Sequence, residues 1–179
     1  MTQPSLPAND CLTGPIAFLQ QGHERHLLLC DALEAIADGL PDNVNPNLTR
    51  CALTLLRSGA LDDARAQEQA LLQALGHHTA STRHLRFVID RLAADHADDC
   101  CSALEIAGAL GELAERGSVS NPDLLGFMLR AYFDARRRHI EWEARVFLPL
   151  VSELLTSDEL ADLRQNAAIR PGRRFGVGD

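Results

Sequence analysis

The chain has 179 residues, of which 46% are apolar, and carries a formal net charge of -8 with a pI near 5.3. A chain of this size buries one substantial core, so we expect a single domain. The acidic balance argues against a nucleic-acid or anionic-membrane surface, since both need basic side chains for phosphate contact. The first ten residues have no basic flank leading into an apolar run, and no stretch approaches the roughly 20 apolar residues of a membrane span. We therefore expect an unprocessed cytoplasmic protein.

The cysteines agree with this location. There are five of them, an odd number in a chain large enough to fold without disulfides, and no CxxC spacing occurs. Reduced thiols are therefore expected. Cys30, Cys51 and Cys100 fall on or beside apolar helix stripes, where they are predicted to act as small core residues.

Apolar residues recur at helical spacing along the chain, and strand signals are nearly absent with only 4% aromatic residues. The first helix is predicted over about 15–40, and its inward stripe includes His23 and His26. The turn-forming segment 41–47 should close the first connection. A second helix is predicted over about 48–75, with Glu68 facing inward and an interruption at Ser58 and Gly59.

The second half of the chain continues this pattern. A third helix over about 82–116 carries His96 in its apolar stripe, and a fourth over about 122–155 turns His139 and Glu143 inward, with a disturbance expected at Pro149. A short fifth helix should follow a capping box that starts at Thr156. The sequence thus predicts an all-α fold, an antiparallel up-down four-helix bundle over 15–155, followed by a short helix and a loose tail over 156–179.

Five ionisable residues fall inside these apolar stripes and should meet in the bundle interior. Burying an unpaired carboxylate costs several kcal/mol, whereas imidazoles and carboxylates around a metal ion satisfy one another. Residues four apart on a helix differ by about 40° in azimuth and about 6 Å in height, so the fourth helix can direct two ligands at one point. The predicted metal ligands are His23, Glu68, His96, His139 and Glu143.

The segments around these residues resemble the hemerythrin-like, HHE cation-binding family. In that family four antiparallel helices contribute in order a His, an HxxxE pair, a His and a second HxxxE pair, usually around two non-heme irons. The resemblance covers about 16–155 and rests on QQGHERHLLLCDALE, AADHADD and RRRHIEWEARVFLPL, with Pro149 at the family's typical proline position. It implies iron as the cofactor, one or two non-heme ions, and imidazole with carboxylate donors also suits manganese or zinc.

The second helix departs from the family pattern. Aligning Glu68 with Glu143 puts Ala64 where the family has a histidine, so one of the expected ligands is missing. His26 and Asp63 are conceivable substitutes, and His26 has the alternative of a plain core hydrogen bond. A completed dinuclear site, a single retained metal and a degenerate site all stay open.

Three functions follow from this. The first is a non-enzymatic protein that handles or senses iron, dioxygen or nitric oxide, whose partners are a metal ion and a small diatomic ligand. The second is an iron-dependent redox or repair factor that needs an external reductant from a partner protein. The third is a metal-free helical interaction module. Two further features have predicted roles. Asp99 is a candidate acceptor for a ligand imidazole. The arginine run 136–138, which begins at Arg136, is predicted to be a solvated face, since only one of its three members can approach the core.

Overall fold

The computed structural model describes residues 14–57, 62–77 and 83–168, and every regular element in these ranges is helical. The predicted all-α class is confirmed. No helix in these ranges is both long and apolar enough to cross a bilayer. The predicted tail from 169 onward lies outside the described residues. The helices are α1 (Pro15–Gly39), α2 (Pro46–Arg57), α3 (Asp62–His77), α4 (Arg83–Arg116), α5 (Pro122–Trp142), α6 (Leu148–Leu154) and α7 (Ser157–Ala168).

Local capping signals define several of these helix ends. Asn121 caps α5 by accepting a hydrogen bond from the Leu124 backbone N–H at 3.0 Å, and Pro122 occupies the first turn. At the start of α7 the predicted capping box is present, since the Glu159 N–H donates to Thr156 Oγ1 at 3.3 Å and Thr156 N–H donates to Glu159 Oε2 at 2.8 Å. These sequence signals place both helices correctly.

The predicted second helix is described as two helices. α2 ends at Arg57 and α3 begins at Asp62, and the residues 58–61 between them lie outside the described ranges. The predicted interruption at Ser58 and Gly59 falls on these residues and so lies outside the described structure. α2 packs against α4 and α1, and α3 packs mainly against α1.

A π-helical turn, Glu143–Phe147, connects α5 to α6. The Leu148 N–H donates to the Glu143 carbonyl, five residues back, as expected for a wide turn. The disturbance predicted at Pro149 is therefore observed about one turn earlier in the chain. Pro149 has no N–H to donate to the carbonyl of Arg145, four residues back, and the proline ring crowds that carbonyl, so the regular helix is interrupted before the proline. Glu143, a predicted metal ligand, is the first residue of this turn.

α1 and α5 run antiparallel along most of their lengths. Near the C-terminal end of α1, Arg130 Nη2 lies 2.8 Å from Asp38 Oδ1, and nearer its middle Arg137 Nη2 lies 2.7 Å from Asp31 Oδ1. Nearer the start of α1, His23 contacts Glu143 beyond the end of α5. α4 also runs antiparallel to α5, with which it packs.

The core consists of two apolar clusters with a polar layer between them. On α1 the layer separates Leu19, in one cluster, from Leu29, in the other. On α4 it separates Leu92 from Ile106 in the same way. The predicted ligands lie in this layer. Among the cysteines, Cys30 is buried as predicted, but the predicted core position is wrong for Cys51 and Cys100, which are exposed because they lie on the outer faces of α2 and α4.

Candidate metal centre

The structure brings the predicted ligands together from four helical segments. One donor atom from each of Glu68, His96, His139 and Glu143 lies within 4.8 Å of the others. His23 is not part of this group of four, although its Nε2 lies 2.5 Å from Glu143 Oε2. Four of the residues are at most 7% exposed, and the side chain of His96 is 12% exposed. The cluster is therefore almost fully removed from water.

The donor atoms face one another closely without forming aligned hydrogen bonds. His139 Nε2 lies 2.7 Å from Glu143 Oε1, and His96 Nε2 lies 2.9 Å from Glu68 Oε2. Even so, both Nε2 atoms, His23 Nε2 and both oxygens of Glu143 are buried without a hydrogen-bond partner. An unsatisfied buried polar atom costs about 1–3 kcal/mol. Several of them at one point are satisfied together if a cation binds between them.

Burial and mutual repulsion set the ionisation of the two carboxylates. Burial raises the pKa of Glu68 to about 8, and the neighbouring Glu143 carboxylate adds to the effect. Burial would raise the pKa of Glu143 as well, but the imidazoles of His139 and His23 beside it hold that pKa well below its usual range. Without a cation, the site thus favours one protonated and one ionised carboxyl group.

Burial and neighbouring charges also shift the pKa values of two imidazoles, His96 and His139, in opposite directions. Burial lowers the pKa of His96 to about 4, and the positive charge of His139 contributes. Burial opposes protonation of His139 too, but the Glu143 and Asp95 carboxylates raise its pKa above the ordinary value. Asp95 Oδ2 accepts from His139 Nδ1 at 3.1 Å, which leaves Nε2 directed at the cluster. A carboxylate that holds the outer nitrogen of a ligand histidine is common at metal sites.

A second buried group, Arg136 with its two partners, adjoins the cluster. Arg136 is 6% exposed, so the run 136–138 is not wholly a solvated face as predicted, and Arg136 is the member that enters the core. It pairs with Asp99, and its Nη2 lies 3.3 Å from His26 Nε2. Asp99 therefore binds an arginine instead of orienting an imidazole as predicted. Arg136 lies three residues before His139, which puts it on the inward face of α5. Its buried positive charge needs partners there, and Asp99 and His26 supply them.

His26 has the core role that was one of its two predicted alternatives. Its Nδ1 donates to the Gly22 carbonyl at 2.9 Å, and its Nε2 accepts from Arg136, so both ring nitrogens are used. Burial lowers the pKa of His26 to about 3, and the charge of Arg136 adds to the effect, which keeps the ring neutral. The other candidate substitute, Asp63, and Ala64 itself lie in α3, but their side chains are outside the described part of the structure.

Sequence reasoning missed Asp95 and Arg136. Asp95 directly precedes the predicted ligand His96 and is partly exposed. It does not fall in the apolar stripe of its helix, so the sequence pattern did not predict that it faces inward. Arg136 is the one member of a three-arginine run that shares the helix face of His139, a spacing visible in the sequence. The spacing of three residues between Arg136 and His139 is the sequence signal that identifies Arg136 as facing inward.

The donor set is compatible with a metal ion. Buried imidazole and carboxylate donors without thiolate suit iron, manganese or zinc, and the unsatisfied atoms converge from separate helices. Comparison with protein-family models, with curated proteins and with solved structures gave no match to this chain.

Proposed function

We propose that this chain is a metal-binding protein of the hemerythrin-like class that holds non-heme iron and handles or senses iron, dioxygen or nitric oxide. The observation that carries the proposal is the convergence of Glu68, His96, His139 and Glu143 in a buried layer, with donor atoms that lack other partners. Two carboxylates and several imidazoles buried without a cation are costly, whereas a divalent ion compensates them.

We also propose that the helices form an antiparallel four-helix bundle, with α2 and α3 together as one member and α5 through α6 as another. The antiparallel pairs α1 with α5 and α4 with α5 support it. The order of the site residues along the chain, a His, a Glu, a His and an HxxxE pair, supports the hemerythrin-like resemblance. The position of Ala64 departs from that pattern.

The chain's own residues would hold and shape the ion's surroundings. Glu68, His96, His139 and Glu143 supply the donors, and Asp95 fixes the tautomer of His139. The apolar clusters on either side of the layer exclude water. A ferrous ion there would supply one-electron chemistry and affinity for a neutral diatomic molecule. No binding group for a larger substrate is part of this proposal.

Anaerobic iron loading tests the function. Chelator-treated protein is given ferrous iron, desalted and analysed for iron per chain, and absorption spectra are recorded after adding dioxygen, nitric oxide or azide. We expect stoichiometric iron in the parent and in His77→Ala, a control at an exposed position, and loss of iron in His139→Ala. Parent protein without iron would refute the proposal and favour a metal-free bundle. Turnover with an added reductant would instead favour a redox enzyme.

A further inference from the structure

The two oxygens of Glu143 point at different imidazoles, which divides the buried layer into two parts. Oε1 lies 2.7 Å from the Nε2 of His139, which belongs to the group of four donors. Oε2 lies 2.5 Å from His23 Nε2, and His23 falls outside that group. His23 therefore contacts the group through Glu143.

The part of the layer beside His23 offers few donors among the described side chains. His26, three residues later on the same face of α1, has both ring nitrogens engaged with Gly22 and Arg136. An ion bound beside His23 would have one imidazole, His23, and would otherwise depend on carboxylates shared with the group of four: Glu143, and Glu68 through Oε1, which is also buried without a hydrogen-bond partner. The position inside the group of four has two imidazoles and both carboxylates, so it has the larger set of donors.

A buried arginine lies next to His26 in this part of the layer. Arg136 is three residues before His139, about 4.5 Å along the helix axis, and its guanidinium contacts His26. Because a guanidinium has no lone pair and His26 Nε2 accepts from it, neither side chain offers a donor atom to a second ion.

The charges of the layer balance with one divalent ion. Arg136 is paired with Asp99, so these two residues neutralise each other. Glu68 and Glu143 then carry two negative charges, which one divalent cation compensates. A second divalent ion would leave an excess of positive charge in a site that is almost fully buried.

On the basis of the proposed function, we infer that the site holds a single divalent cation, bound by Glu68, His96, His139 and Glu143. His23 is a positioning residue that acts on the ion through Glu143 Oε2. The Arg136, Asp99 and His26 group occupies the neighbouring layer with its own charge balance.

Manganese titration tests this inference without relying on activity. Metal-stripped protein is titrated with Mn²⁺ under anaerobic conditions, metal per chain is measured after desalting, and the electron paramagnetic resonance spectrum is recorded. We expect one ion per chain and the spectrum of an isolated Mn²⁺ ion. Two ions per chain with a spin-coupled spectrum would overturn the inference while leaving metal binding intact. No bound metal would overturn the proposed function itself.

Variants of the two histidines that contact Glu143 separate a ligand from a positioning residue. We expect His139→Ala to lose the ion, and His23→Ala to keep one ion with an affinity about 10–100-fold lower. His23→Gln retains an N–H that can contact Glu143 Oε2, so its affinity should lie closer to that of the parent. The inference is wrong if His23→Ala loses metal as completely as His139→Ala does. The stoichiometry of the unaltered protein decides the question if either variant fails to fold.

Discussion

Asp95 on α4 holds the outer nitrogen of His139 on α5, with Oδ2 3.1 Å from Nδ1. Because a carboxylate accepts at Nδ1, that nitrogen keeps its proton, and Nε2 is the nitrogen that can give a lone pair to a bound ion. Asp95 also lies 3.7 Å from Arg91 Nε, one turn earlier on the same helix. A partly exposed acid thus orients a buried imidazole.

The first prediction concerns Asp95→Asn. The amide keeps the size of the side chain but removes its charge, so it should hold the His139 tautomer less firmly and reduce the basicity of Nε2. We expect metal affinity to fall about 10–100-fold, with the number of ions per chain unchanged. Competition with a fluorescent chelator measures the affinity.

Asp90→Asn is the matched control, since Asp90 is an exposed acid on the same helix. It removes the same net charge from the protein without touching the site. Equal weakening by the two substitutions would mean that Asp95 acts only through long-range charge, and the proposed orienting role would be abandoned.

The second prediction is that metal uptake near pH 7 releases the proton of Glu68. Burial first, and Glu143 second, raise the pKa of Glu68 to about 8, so the metal-free carboxyl group is mostly protonated at that pH. A bound ion needs the carboxylate, and protons therefore compete with it. Affinity should rise with pH up to about pH 8 by about tenfold per pH unit for each proton displaced, with the raised pKa of His139 adding to the effect of Glu68, and should then level off. Titration calorimetry in buffers of different ionisation enthalpy counts the protons, and Glu68→Gln should release one fewer.

The third prediction concerns the pH dependence of stability in the metal-free protein. The folded chain holds the Glu68 proton up to a pKa of about 8, whereas the unfolded chain releases it near 4.5. The stabilising contribution is complete below the unfolded pKa and is lost as pH rises through the folded one. Relative to Glu68→Gln, which cannot ionise, the parent should therefore become less stable between pH 5 and pH 8.

Thermal melts by circular dichroism, in the presence of a chelator, check this difference. The lowered pKa of His96 has the opposite effect on stability, but it is present in both proteins and largely cancels in the comparison. A difference in Tm between the two proteins that does not change with pH would show that Glu68 is not held in its protonated form.

Much of the fold and most of the donor set follow from helical periodicity. Each helix presents one apolar face, so a titratable residue in register with that face, such as His23 or Glu68, must enter the interior. The asparagine cap before Pro122 and the capping box at Thr156 are local, which is why they locate their helices. The position of Pro149 predicts an irregular turn, but it does not predict that this turn lies at Glu143–Phe147, before the proline.

The remaining features depend on contacts between helices. Whether Asp95 or Asp99 reaches His139 depends on the rotation of α4 against α5. The apolar periodicity of a single helix does not determine that rotation. The burial of Arg136 likewise requires two partners, His26 and Asp99, supplied by other helices. Single-helix patterns identify an inward face, whereas the pairing of polar groups across faces is a tertiary property.

The fourth prediction separates the stability of the fold from the affinity of the site. Leu110 is fully buried in the apolar cluster toward the far end of α4, and Leu104 on the same helix is 71% exposed. Leu110→Ala should destabilise the metal-free protein by about 2–5 kcal/mol, because it leaves a cavity in a packed core. Leu104→Ala should change stability by at most about 0.5 kcal/mol. Denaturant unfolding measures both.

Leu110 is far enough from the site for the two effects to add. Fourteen residues of helix separate it from His96, about 21 Å along the axis. Distant substitutions are usually additive, so metal at a hundredfold excess over its Kd should raise the stability of both the parent and Leu110→Ala by about 2.7 kcal/mol. A smaller increment in Leu110→Ala would mean that the core cluster and the donor layer are energetically coupled. In that case, the two apolar clusters would not be energetically independent of the donor layer between them.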